Sequence, residues 1–225
     1  MKKVILSAVL SIFSLLLFAQ ENPKDELGTW YILASNSKIS EKINVQLQTQ
    51  FRFYELASEL QQFKIRTGVT YKVNNTVMFG AGYGYFLNDP SYLSETPENF
   101  NEHRLVLDGH LRNKFTKLTL NHRYRYEHRF FDGGMDSSGW MRYMLKASYP
   151  INEKVAIDLY DEVFINVQGT DNFAQNWIGG GVSYKINDLI NTRLGYQNIQ
   201  TSGIDFDRLL ISLTFKPDFT KADAQ

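Results

Sequence analysis

From Lys42 to Tyr54 the chain reads KINVQLQTQFRFY, with its mostly apolar and its polar residues in alternation. Ile43, Val45, Leu47, Thr49, Phe51 and Phe53 share one parity; Asn44, Gln46, Gln48, Gln50 and Arg52 share the other. A period of two places alternate side chains on opposite faces of an extended strand. A tilted strand of ~9–11 residues is long enough to cross a bilayer. One such strand would suit a soluble sandwich equally well, so the weight lies in its repetition.

The pattern recurs as far as Lys216. Strands are predicted over 28–36, 42–54, 62–73, 76–87, 102–112, 116–130, 140–149, 155–167, 174–186, 189–199 and 206–216. Short turns are expected at 74–75, 113–115, 150–154 and 187–188, the first of a kind that tolerates positive φ. Longer loops are expected at 88–99, 131–139, 168–173 and 200–205. Such alternation describes an outer-membrane barrel with its longer loops outside the cell. Tyrosines on the apolar faces, among them Tyr83, Tyr85, Tyr124, Tyr126, Tyr143 and Tyr149, fit an aromatic girdle at the lipid–water boundary. The expected fold is an all-β, antiparallel transmembrane β-barrel of 10–12 strands.

Two positions strain this reading. Eleven strands are counted, whereas bacterial single-chain barrels have even numbers. Either 28–36 lies outside the wall, leaving ten, or a further strand makes twelve. Asp161 would point into lipid by alternation from Val155, Ile157 and Leu159, so a β-bulge is expected there to re-aim it. A soluble β-sandwich or lipocalin-like barrel is the alternative. Against it, Gly80, Gly82 and Gly84 share one polar face, and Gly179 and Gly181 another. Glycine weakens a solvated strand and packs nothing, but in a narrow lumen it would leave room for arginines.

Ahead of the strands, Lys2 and Lys3 precede an apolar run to Phe18, followed by Ala19-Gln20. This is the pattern of a cleaved signal peptide, and the run is short for a membrane helix. The expected organisation is a signal peptide over 1–19, a polar leader over 20–27, a barrel over 28–216 and a polar tail over 217–225. The chain has no cysteine, which excludes a disulfide, a lipidated cysteine and a thiolate site. Its formal charge is zero, so a nucleic-acid partner is not expected.

The charges are not spread evenly over the two faces. Arg52, Lys64, Arg66, Lys72, Arg104, Arg112, Lys117, Arg123, Arg125, Arg129, Arg142, Lys146, Arg193 and Arg208 all fall inward by alternation. Glu102, Asp108, Glu127, Asp158 and Glu162 are the acids that could pair with them. A charged network is therefore expected among Arg52, Arg66, Glu102, Arg104, Asp108, Arg123, Arg125, Glu127, Arg129, Arg142 and Glu162. An ion-paired plug is preferred to an open anion-attracting lumen, because a barrel of this size has little room for a channel. His110 and Asp108 both face inward, but no motif selects a serine to complete a nucleophilic site. His122 and His128 alternate with tyrosines on the outward face. No metal-ligand spacing is present. No catalytic, cofactor-binding or metal residue is assigned, and no cofactor is expected.

At HRYRYEHRF (122–130), YDEVFIN (160–166), FAQNWIGGGVSYKI (173–186) and LGYQN (194–198) the chain resembles the bacterial outer-membrane proteins grouped as domain of unknown function 2490. The resemblance covers about 28–216. It implies a β-barrel in the outer membrane of a Gram-negative bacterium, and no activity. Outer-membrane lipid is the expected partner, with a small anion as the second. A non-enzymatic structural or interaction barrel is the preferred role; a small anion-preferring pore or pocket and a lipid-modifying enzyme are the alternatives.

Overall fold

A computed structural model describes residues 26–92, 98–168 and 172–220. The expected signal peptide, most of the leader and the end of the tail lie outside them. Eleven strands form one closed barrel. They are β1 (Leu27–Lys38), β2 (Ile43–Phe53), β3 (Leu60–Lys72), β4 (Val77–Asn88), β5 (Phe100–Phe115), β6 (Leu118–Phe131), β7 (Ser138–Pro150), β8 (Val155–Asn166), β9 (Phe173–Lys185), β10 (Ile190–Thr201) and β11 (Asp205–Phe215).

Every consecutive pair is antiparallel. With an odd number of such strands the first and last run the same way. The closing pair is therefore parallel, with Leu27–Ser35 of β1 against Asp207–Phe215 of β11. This differs from the even count expected: 28–36 belongs to the wall, and there is no twelfth strand among the described residues. A parallel ladder covers the two exposed edges as an antiparallel one would. It also puts the start of β1 and the end of β11 at opposite ends of the barrel.

One end carries the connections that follow β2, β4, β6, β8 and β10, and the other carries those that follow β1, β3, β5, β7 and β9. The β10–β11 connection is tighter than expected. Thr201 closes it, accepting at Oγ1 from the Ile204 N–H at 3.2 Å while its own N–H reaches the Ile204 carbonyl at 3.1 Å.

At the short-turn end three connections repeat one device. The Asn74, Asn152 and Asn187 side chains each accept two backbone N–H bonds at 2.8–2.9 Å, from the residues two and three places on. Ser40 does the same for Ile43 and Lys42 at 3.0 and 3.3 Å. The turn expected at 74–75 is present and closed by its asparagine cap, without positive φ. Outside glycine, positive φ occurs only at Glu59 and Thr116 among the described residues.

The two faces differ sharply. Every Lys and Arg within the eleven strands sits at inward parity. Outward positions carry large exposed apolar residues such as Leu47, Phe79, Leu107, Leu159 and Leu194. The only acids at outward positions are Asp161, Asp205 and Asp207. Asp205 and Asp207 lie at the loop end of β11, but Asp161 is mid-strand. The bulge expected at Asp161 is absent. The register of β8 against β9 slips between Phe164 and Ile165 instead, so Asp161 keeps its outward parity, beside Leu145 and Ile178.

Candidate functional site

The inward faces of β5 to β8 bring basic and acidic side chains together because their registers align them. Asp108 lies opposite Arg125, Arg104 opposite Arg129, and Arg125 opposite Arg142. Arg125 holds Asp108 through two N–H bonds, Nε at 2.6 Å and Nη2 at 2.9 Å, and Arg66 reaches the same carboxylate from β3 at 3.0 Å. Glu127 is the hub. Arg142 donates to it at 2.7 Å, and Arg104 and Arg129 each at 3.1 Å. Arg104 also grips Glu102 at 2.6 and 2.7 Å. Glu162 accepts from Arg123 at 2.6 Å and Arg142 at 2.8 Å. Bidentate and charge-assisted bonds of this kind are stronger than neutral ones.

A smaller cluster lies on β7, β8 and β10. Asp158 takes two N–H bonds from Arg193, both at 2.8 Å, and Lys146 Nζ sits 3.2 Å away. Small residues make this possible: a Cβ on Gly195 would lie 2.4 Å from the Arg193 guanidinium. Among the described residues no carboxylate pairs with Arg52. It lies over the Trp30 ring at 3.7 Å and donates to Gln50 and Gln62 at 2.9 Å each. Aromatic shelves recur under other arginines, with Arg129 over Trp140 at 3.6 Å, Arg104 over Phe86 at 3.8 Å and Arg142 over Phe164 at 4.0 Å. Each adds a cation–π attraction in a desolvated setting.

Sequence reasoning missed these shelves. Their signal was visible in the inward parity of Trp30, Phe86, Trp140, Phe164 and Trp177, which a purely polar lumen would not need. Lys117, inward by alternation, lies instead in the β5–β6 turn. His110 Nε2 is 4.0 Å from Asp108, a carboxylate already held by Arg66 and Arg125. His122, His128 and His103 face outward, where their Nδ1 atoms meet the hydroxyls of Tyr143, Tyr126 and Tyr83 at 2.8, 3.3 and 2.5 Å.

Beside the ion pairs the lumen is hollow. A cavity of about 800 Å³ is lined from Asn36 and Thr214, near the short turns, to Asn88 and Thr201, near the loops. Ten basic side chains line it against four carboxylates, with Asp158 behind Lys146 and Arg193 as a fifth. The interior is thus cross-linked on one side, open on the other, and positive.

Residues 27–209 match the family model described as Protein of unknown function (DUF2490). The chain belongs to this family. No curated protein matches it. Among solved structures it is similar to LpxR from Salmonella typhimurium, with a TM-score of 0.44 and 6% identity over 77% of this chain and 83% of that one.

Proposed function

We propose that the protein is an outer-membrane β-barrel of the non-enzymatic, structural or interaction type, whose luminal ion pairs bar the passage of solutes through it. The observation that carries this reading is the segregation of charge by face. An arginine or lysine facing lipid at the bilayer midplane costs about 2–4 kcal/mol, and no strand presents one outward. The exposed outer residues, with Leu159 at 71% exposure, would be a liability in water over so large an area. Tyr–His pairs on β4 to β7 suit an interface where one side of a ring is apolar and the other wet.

Inside, Glu127 and its three arginines bridge β5, β6 and β7, joining neighbouring wall strands through their inward faces. Such a lattice stiffens the wall and obstructs the bore. The test is purification in detergent followed by reconstitution into liposomes. A barrel that requires detergent, migrates as a heat-sensitive folded band and admits no disaccharide supports the reading. A monomer stable without detergent sinks the membrane placement; rapid sugar entry sinks the closed lumen.

A further inference from the structure

We propose that the hollow side of the lumen is a binding pocket for an amphiphilic oxyanion, a carboxylate or phosphate group carried on an apolar or aromatic body. The inference goes beyond the ion-paired lattice and names what the rest of the lumen takes. It requires the closed barrel but not the membrane around it.

The first observation is a set of buried donors that lack acceptors. Lys64 is 8% exposed and lines the cavity, with Nζ 5.7 Å from the Phe86 ring centroid and no hydrogen bond or ion pair among the described residues. Trp30 Nε1 and Gln197 Nε2 are buried in the same lining without partners. Behind Gln197, its cross-strand neighbour Arg208 is wholly buried, with Nε and Nη2 unpartnered. Arg208 lies against Gly28, where a Cβ would come within 2.6 Å of Nη1, so the wall has been cut back to admit it.

Buried polar groups are normally satisfied, and an unpaired buried cation is among the most costly features a core can hold. Water can offer acceptors to these donors, but it cannot supply the negative charge that ten basic side chains lack against five carboxylates. An oxyanion does both.

The second observation is the apolar cluster at the same place. Trp30, Ile199 and Leu210 form a buried core with Ile32, Trp177 and Phe206 packed on it, and all six line the cavity. Trp30 meets Trp177 edge-on at 5.3 Å. A free phosphate would leave the partly exposed faces of Ile32, Trp177 and Phe206 uncovered, whereas an apolar body attached to the anion would cover them. The pocket is walled by inward faces, so its ligand arrives from water and not sideways from lipid.

The folded barrel in non-ionic detergent is titrated calorimetrically with phenyl phosphate, inorganic phosphate and benzyl alcohol. Saturable binding of phenyl phosphate is expected, at least tenfold tighter than either of the others. Lys64→Met should weaken it at least tenfold, while Lys114→Met, an exposed lysine at the short-turn end, leaves it unchanged. Trp30→Phe keeps an aromatic side chain but removes the N–H together with the pyrrole half of the indole; a several-fold loss is expected, and this variant carries the test should Lys64→Met not fold. The heat-sensitive folded band is recorded for each protein, which separates a lost pocket from a lost barrel. Benzyl alcohol binding as well as phenyl phosphate, or undiminished binding by both variants, overturns the proposal. Inorganic phosphate binding as tightly as phenyl phosphate overturns its amphiphilic half.

Discussion

Arg142 sits between two carboxylates, donating from Nη1 to Glu127 at 2.7 Å and from Nε to Glu162 at 2.8 Å. All three side chains are at most 8% exposed, so solvent compensates little if one is removed. Glu127→Gln would leave Arg104, Arg129 and Arg142 short of charge together. The loss should be about 3–5 kcal/mol, the usual cost of breaking a buried pair. Urea unfolding of the reconstituted barrel measures it. The double variant Glu127→Gln/Arg142→Met should recover part of the loss, because it removes one of the stranded charges. A double variant no more stable than the single one would mean that Arg142 is not held by Glu127.

Asp161 is the one acid placed outward in mid-strand, between Leu145 and Ile178. In a bilayer that position favours an apolar side chain. Asp161→Leu should therefore raise the unfolding midpoint of the lipid-reconstituted protein, or at the least not lower it. Measuring the same pair of proteins in detergent gives a comparison, since micelles tolerate an exposed carboxylate better. A clear destabilisation in lipid would show that Asp161 has a partner outside the wall.

The asparagine turns give a smaller, local effect. Asn187 Oδ1 accepts from the Leu189 and Ile190 N–H groups at 2.9 and 2.8 Å. Asn187→Ala gives up both, in an exposed turn where water replaces them in part. A cost of about 1 kcal/mol is expected, with Asn187→Ser losing less because its hydroxyl can reproduce the bonds, as Ser40 does. Refolding yield into micelles and the urea midpoint both report it.

How far the sequence could be read is clear from these residues. Strand positions and facing followed from the period of two, because apolar and charged residues cannot exchange faces without exposing one or burying the other. Glu127 and Asp108 were visible as inward acids for that reason. Three things were not visible. The parallel β1–β11 seam depends on the parity of the whole strand count, which no local pattern records. The outward Asp161 broke the polarity rule without a bulge, and alternation alone could not say which of the two would give way. The pocket residues Trp30, Gln197 and Lys64 look ordinary in sequence; that the Trp30 and Gln197 N–H groups lack acceptors, and Lys64 an ion pair, appears only when the opposite wall is in place. The turn motif could have been read. Val73-Asn74, Ile151-Asn152 and Ile186-Asn187, each followed three residues on by Val or Ile, repeat at the short-turn end, with Ile39-Ser40 as a fourth case.

The seam leads to the last prediction. Because β1 and β11 run parallel, Leu27 enters the wall at the loop end while Phe215 leaves it at the short-turn end. In barrels with even strand counts both termini of the wall lie on one side, so this arrangement has a distinct signature. If the longer loops face outside the cell, as barrels of this type arrange them, Glu26 and the 132–137 loop share the outer side. The Asn187 turn and Pro217 then lie on the inner one. The chain has no cysteine, so single cysteines at Glu26, Asp136, Asn187 and Pro217 report without background. A membrane-impermeant maleimide applied to intact cells should label Glu26→Cys and Asp136→Cys. Asn187→Cys and Pro217→Cys should react only after the outer membrane is opened. Labelling of Asn187→Cys and Pro217→Cys alone would invert the orientation but keep the seam. Protection of Glu26→Cys together with Asn187→Cys and Pro217→Cys, while Asp136→Cys reacts, would put the start of the wall at the short-turn end and so rule out an eleven-strand parallel closure.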